Sequence, residues 1–187
     1  MSQEGAEIAR LASKIYNAFS GIEYPGDDEI APADGLEEKE VADALRSKDW
    51  RELDSKFLNN YCIASITFLH FRAYRFFLPA FLLATVKDYG KVPEIVQDTV
   101  FSLLDPVSYQ KLYYPELYKE KEAVDWYTFL CRMKPLTYHQ VDAIVGVLEF
   151  LRNYHTEDFP HKEPQVALEG YWLERLKLER GEEEQES

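Results

Sequence analysis

The sequence predicts an all-α protein, a single compact domain of several helices built around one buried, apolar central helix. Three observations carry this. Apolar residues recur at intervals of three and four along most of the 187 residues, the period of a helix with one inward face. Alternation of apolar and polar residues, the mark of a half-buried strand, is nearly absent. One stretch, Ile63 to Tyr89, is apolar nearly all round, as a helix inside a fold must be. The expected domain spans residues 1–181, followed by a disordered acidic tail over 182–187.

The first helix is predicted from Gln3 to Phe19, with Ile8, Leu11, Ala12, Ile15 and Phe19 forming one stripe and Gly21 following as a stop. Ile22 to Ala33 holds Pro25, Gly26, Asp27, Asp28 and Pro32 and reads as loop. Asp34 with Glu37 resembles a capping box opening a solvated helix to Arg46. A further helix after Ser47 gathers Trp50, Leu53, Phe57, Leu58 and Tyr61 on one side.

Within the central segment, Pro79 either kinks the helix or begins a second one, and Gly90 ends it. Pro93 opens the next helix, with Val96, Val100, Leu103 and Leu104 inward and Asp105-Pro106 as its end, although Thr99 to Leu104 also fits a short strand. Val107 to Pro115 is Tyr-rich and reads as irregular, and Glu116 to Arg132 as helix. Thr137 and Gln140 form a T-x-x-Q capping box, stapled by Leu136 and Val141, for a helix reaching Tyr154. After Pro160 and Pro164, a last helix gathers Leu168, Tyr171, Trp172, Arg175 and Leu176 and stops at Gly181.

Several classes are excluded. The start of the chain, Met1-Ser2-Gln3-Glu4-Gly5, lacks a basic n-region, so no signal peptide is expected and the cytoplasm is. The longest clean apolar run, Phe76 to Val86, is far shorter than the about 20 residues that span a bilayer. Cys62 and Cys131 have no second Cys or His at ligand spacing and read as reduced, buried thiols. The formal net charge of −13 opposes direct binding to nucleic acid, which needs clustered Lys and Arg. The charge is uneven: residues 1–56 sum to −7, 57–91 to +3, 92–135 to −2 and 136–187 to −7. Acidic flanks thus surround a mildly basic apolar centre, either as a solvated shell or as a face for a basic partner.

Two constellations are candidates for chemistry. His70, Arg72, Tyr74 and Arg75 stand together, and on a helix Arg72 and Arg75 are i, i+3 neighbours. Their guanidiniums require either carboxylates from other helices, with Asp98, Asp125 and Asp142 available, or an anionic ligand. Tyr109, Tyr113, Tyr114 and Tyr118 form an aromatic cluster, read either as a contact patch or as packing of a loop on the core. His155 and His161, with Glu157 and Asp158 between them, match no metal motif, and His139 falls at the exposed second position of its helix. There is no G-x-S-x-G and no Cys with a placed His. No metal site and no cofactor is expected.

The chain resembles a bacterial family of uncharacterised proteins classed as a domain of unknown function. The matching pieces are Ile15 to Phe19 with the Pro/Gly loop after it, Asp49-Trp50 with Phe57-Leu58, and Phe71 to Ala80 with its R-F-F-L-P-A string. Val100 to Leu103, Leu136-Thr137 with Gln140 and Ala143-Ile144, and Ala167-Leu168 to Tyr171-Trp172 complete them. The resemblance implies a small helical domain and assigns no activity. Acidity, aromatic excess and the missing catalytic motif together favour a cytoplasmic protein–protein interaction module for a basic partner, in the manner of an immunity protein. The alternative is an enzyme or small-anion binder on Arg72 and Arg75.

Overall fold

The computed structural model is all-α, with no strand among the described residues. It describes every residue except Met1, Ala33, Asp34, Ala64, 120–123, Asp125 and Ser187, and, of the remainder, not the side chains of Tyr118, Lys119 and 182–186. The chain forms two compact units, residues 1–102 and 103–187, where the sequence predicts one domain. No helix among the described residues is long and apolar enough to cross a membrane.

The first unit is organised by α4, Phe71–Lys87. Ala73, Tyr74 and all of residues 76–86 are buried on it, so it lies within the unit rather than on its surface. Pro79 falls inside this continuous helix, in an apolar run that buries its whole circumference. Helix α1, Gln3–Ala18, packs Leu11 and Ile15 toward α4, and the Ser2 hydroxyl caps it by accepting from the Gly5 amide at 3.1 Å. Helix α2, Leu36–Leu45, buries Val41 and Leu45 and packs on α3, Ser55–Tyr61, which also meets α4. The capping box expected at Asp34 lies outside the described residues.

Two helices differ from expectation at their starts. The helix expected after Ser47 is a 3-10 turn, Trp50–Glu52, then α3, because Asp49 and Asp54 each cap a separate start through the amides of Arg51 and Phe57. Trp50, Leu53 and Leu58 are still buried, whereas Tyr61 is exposed. The central helix begins at Phe71 instead of Ile63. Ser65 turns the chain by donating to the Cys62 carbonyl at 2.6 Å, and the His70 amide is claimed by the Ile30 carbonyl at 2.9 Å, a long-range bond invisible in a local pattern. Helix α5, Pro93–Leu103, closes the unit; the strand alternative for 99–104 is not formed.

The second unit is organised by α9, Tyr138–Tyr154, whose buried residues include Val141, Ile144, Val145, Leu148 and Leu151. Its start is as read: the Gln140 amide donates to the Thr137 hydroxyl and the Thr137 amide to the Gln140 side chain, at 3.4 and 3.1 Å. The stretch expected to be irregular after Leu104 is α6, Pro106–Tyr113. Asp105-Pro106 is a start as well as the expected stop, α5 ending at Leu103: the Asp105 carboxylate accepts from the Val107 and Ser108 amides, and Pro106 takes the first helical position, where no N–H is needed. The expected helix 116–132 is α7, Pro115–Lys119, and α8, Tyr127–Met133.

The chain ends in α10, Glu163–Ala167, a π-helical turn, Leu168–Trp172, and α11, Leu173–Glu186. Helix α11 continues through Gly181, so residues 182–186 extend the last helix where the sequence places a disordered tail. Its exposed glycine weakens the helix by about 1 kcal/mol relative to alanine without breaking it. Arg175 holds α11 in place by donating to the Lys134 and Leu136 carbonyls at 3.1 and 3.3 Å, in the link between α8 and α9.

Candidate functional site

Two consecutive signals build the tyrosine cluster. Asp105-Pro106 starts α6, and on that helix Tyr109 and Tyr113 are i, i+4 neighbours on one face, their rings 5.0 Å apart. Tyr114 ends the helix, its amide donating to the Gln110 carbonyl, and turns its ring to 6.0 Å from that of Tyr109. Three phenols therefore form one ledge, with Tyr114 46% exposed and Tyr109 and Tyr113 half-buried. The fourth residue expected here, Tyr118, lies on α7, and its side chain is outside the described set.

The ledge is anchored by a buried acid. Glu163 is 2% exposed, yet both carboxylate oxygens have donors: the Tyr113 hydroxyl at 2.6 Å and the His161 amide at 3.2 Å. Such pairing is what a buried carboxylate demands. The intervening Lys162 adopts a left-handed backbone, φ 55°, to bring both within reach, and the exposed His161 sets its ring edge-on to Tyr113 at 5.6 Å. Burial and then the Glu163 carboxylate push the Tyr113 phenol well above its ordinary range, and burial and then Tyr114 raise that of Tyr109. Both phenols stay protonated at physiological pH. They offer flat apolar faces with a polar tip, suited to contact rather than to proton transfer.

A second arrangement escaped the sequence reading. Asp105 is 2% exposed; one oxygen caps α6 and the other, Oδ2, is buried without a hydrogen-bond partner. It lies against Gly170 in the π-turn: a β-carbon there would stand 2.4 Å from Asp105 Oδ2 and 2.6 Å from the Ser108 hydroxyl. A larger residue there would have to push the Asp105 and Ser108 side chains aside. Next to it the Trp172 indole donates to the Leu103 carbonyl at 2.8 Å. The π-turn is the available sequence-level counterpart only in hindsight, as Gly170 beside Tyr171-Trp172 within a helical pattern.

The four residues of the first unit's constellation do not converge. Arg72 is exposed and Arg75 half-buried on one side of α4, and His70 is the exposed residue preceding the helix. Tyr74 faces inward, fully buried, its hydroxyl 3.0 Å from that of Ser102. The phenol is thus spent on α5 and is not available to a ligand beside the arginines. Of the histidines, His139 is exposed at the second position of α9, and His155 Nδ1 stands 3.9 Å from Asp158 Oδ2. No group of three or more metal-ligating side chains occurs among the described residues. Neither cysteine forms a disulfide; Cys62 is buried, and that burial pushes its thiol up to about 12, while Cys131 is only half-buried where full burial was expected.

A family model described as a family of unknown function, DUF6714, matches residues 27–176. No curated protein and no solved structure matches the chain.

Proposed function

We propose, for a chain that belongs to the DUF6714 family of unknown function, that it is an acidic protein–protein interaction module of the bacterial cytoplasm, meeting a basic partner through the tyrosine ledge of α6. One observation carries the reading: the Tyr109 ring contacts those of both Tyr113 and Tyr114, Tyr113 is held by the buried Glu163, and Tyr114 is 46% exposed. Rings already held in place lose little conformational entropy on binding, and tyrosine supplies large contact area with a polar tip. The unit that carries them holds 17 acids and 10 bases, so its field attracts a cationic surface and repels an anionic one. The partner is basic, of the kind an immunity protein neutralises, and Tyr118 belongs to the same contact.

The test is affinity capture from the native host with the full chain, run in parallel with a Tyr109→Ala/Tyr114→Ala variant whose melting curve is unchanged. A basic protein held by the wild type, released by raised salt, and held roughly tenfold less well by the variant is the expected result. Equal capture of the same proteins by both chains ends this reading.

A small-anion binder or an enzyme on the first unit is the second reading, now restricted to His70, Arg72 and Arg75. It is favoured by the exposed Arg72 at the start of a 17-residue helix with no acid in its first turn. Inorganic phosphate that shifts the Arg75 side-chain resonance saturably in the wild type, and fails to do so in Arg72→Ala near neutral pH, supports it; no saturable shift in the wild type removes it.

A further inference from the structure

In the first unit, α1, the 50–55 segment and the end of α4 enclose a cup of about 150 Å³. Its floor is apolar, with Leu53, Leu83 and Ala84 all buried. One wall is Tyr16, whose ring stacks on the buried Trp50 at 5.4 Å. Charges of both signs stand on the rim, and most are already engaged. Arg51 bonds both Asp49 oxygens and the Ser20 carbonyl; Asp54 caps α3; Asp88 accepts from Lys91 at 2.6 Å. The two left, among the described residues without a hydrogen bond or ion pair, are Glu52 and Lys87. Both are exposed, and the Lys87 ammonium hangs 6.0 Å from the Tyr16 ring centroid.

The remaining charges define the ligand. A purely anionic molecule would leave the uncommitted Glu52 unmatched, and a purely cationic one would leave Lys87 unmatched. The volume corresponds to about five water molecules, well below the roughly 300 Å³ at which drug-sized ligands begin. We propose that the cup binds a free aliphatic α-amino acid: the carboxylate at Lys87, the ammonium at Glu52, and the side chain on the floor formed by Leu53, Leu83 and Ala84. Both ligand charges are then matched and its apolar part leaves water, the combination that offsets their desolvation.

The experiment is an NMR titration of the full chain with L-valine and L-leucine, reading the Trp50 indole resonance, alongside N-acetyl-leucine, which lacks the ammonium, and leucine amide, which lacks the carboxylate. Saturable shifts with one or both free amino acids, and roughly tenfold weaker binding of each analogue, are expected. Glu52→Gln should abolish the preference over N-acetyl-leucine alone, and Lys87→Met the preference over leucine amide alone. Both residues are exposed, so the variants fold normally. No saturable shift with either amino acid, equal binding of both analogues and parent, or preferences unchanged in both variants would overturn the proposal.

Discussion

The two units solve the same problem by different means. In the first, α4 is buried around nearly its whole circumference, and packing of Phe76, Phe77, Leu78, Phe81 and Leu82 against its neighbours does most of the holding. In the second, α9 is likewise buried all round over residues 143–148, but the surrounding elements are also pinned to one another by directed polar bonds: Trp172 to the Leu103 carbonyl, Tyr113 to Glu163, Arg175 to the Lys134 and Leu136 carbonyls. Apolar burial is non-directional and roughly additive in area, so the first unit tolerates a choice of side chains but not a loss of volume. Buried polar bonds are directional and costly when half-made, so the second unit depends on particular partners.

The largest expected effect tests the first half of that contrast. Phe77→Ala removes a fully buried ring from α4 and should cost about 3–5 kcal/mol in urea unfolding. If residues 1–181 unfold as the single domain we propose, native-state hydrogen exchange will show slow amides of α4 and α9 losing protection together. Loss confined to residues 1–102 would establish independent units.

Gly170→Ala addresses the second half. The new methyl group meets Asp105 Oδ2 and the Ser108 hydroxyl, and overpacking of this kind costs about 1–3 kcal/mol. In an Asp105→Ala background, which already sacrifices the cap of α6, the same substitution should cost clearly less. Strict additivity in that double-mutant cycle would show that the contact does not carry the strain.

The smallest effect concerns a polar clamp within the packing-dominated unit. Asp27 accepts from the Tyr24 hydroxyl at 2.6 Å and from the Ser47 amide and hydroxyl, and these bonds hold its carboxyl below the usual carboxylate range, Tyr24 contributing most. A folded-state value below the unfolded one stabilises the protein above the unfolded pKa of about 4, and the gain disappears as pH falls through the folded value. Asp27→Asn should therefore lower the urea midpoint at pH 7 and match the wild type more closely below pH of about 3. A gap that persists unchanged in acid would mean that the clamp does not act through the charge.

The sites follow the same division. That Tyr109, Tyr113 and Tyr114 stand near one another is visible in their closeness in sequence, whereas the helix that puts Tyr109 and Tyr113 on one face was not, that stretch reading as irregular. Nor was the anchor of the cluster, since Glu163 is 50 residues from Tyr113 and looks like any other surface acid in a chain with 34 of them. Tyr74 parts from Arg72 and Arg75 for a related reason: adjacency in sequence turns a helical side chain by about 100°, and Tyr74 is buried against Ser102. Asp105-Pro106 was read for only one of its two roles, because an Asp-Pro pair can follow one helix and cap the next.

The sequence by itself determined the all-α class, the dry central helix and the start of α9, since each is written in residues three or four positions apart: apolar periodicity, or a cap and its partner. Only the tertiary structure decided where α4 begins, which acid holds Tyr113, what stands against Gly170, and that Glu52 and Lys87 share one cup. Those outcomes depend on atoms brought together from distant parts of the chain, and a local pattern carries no record of which donor will reach which acceptor once the chain has folded.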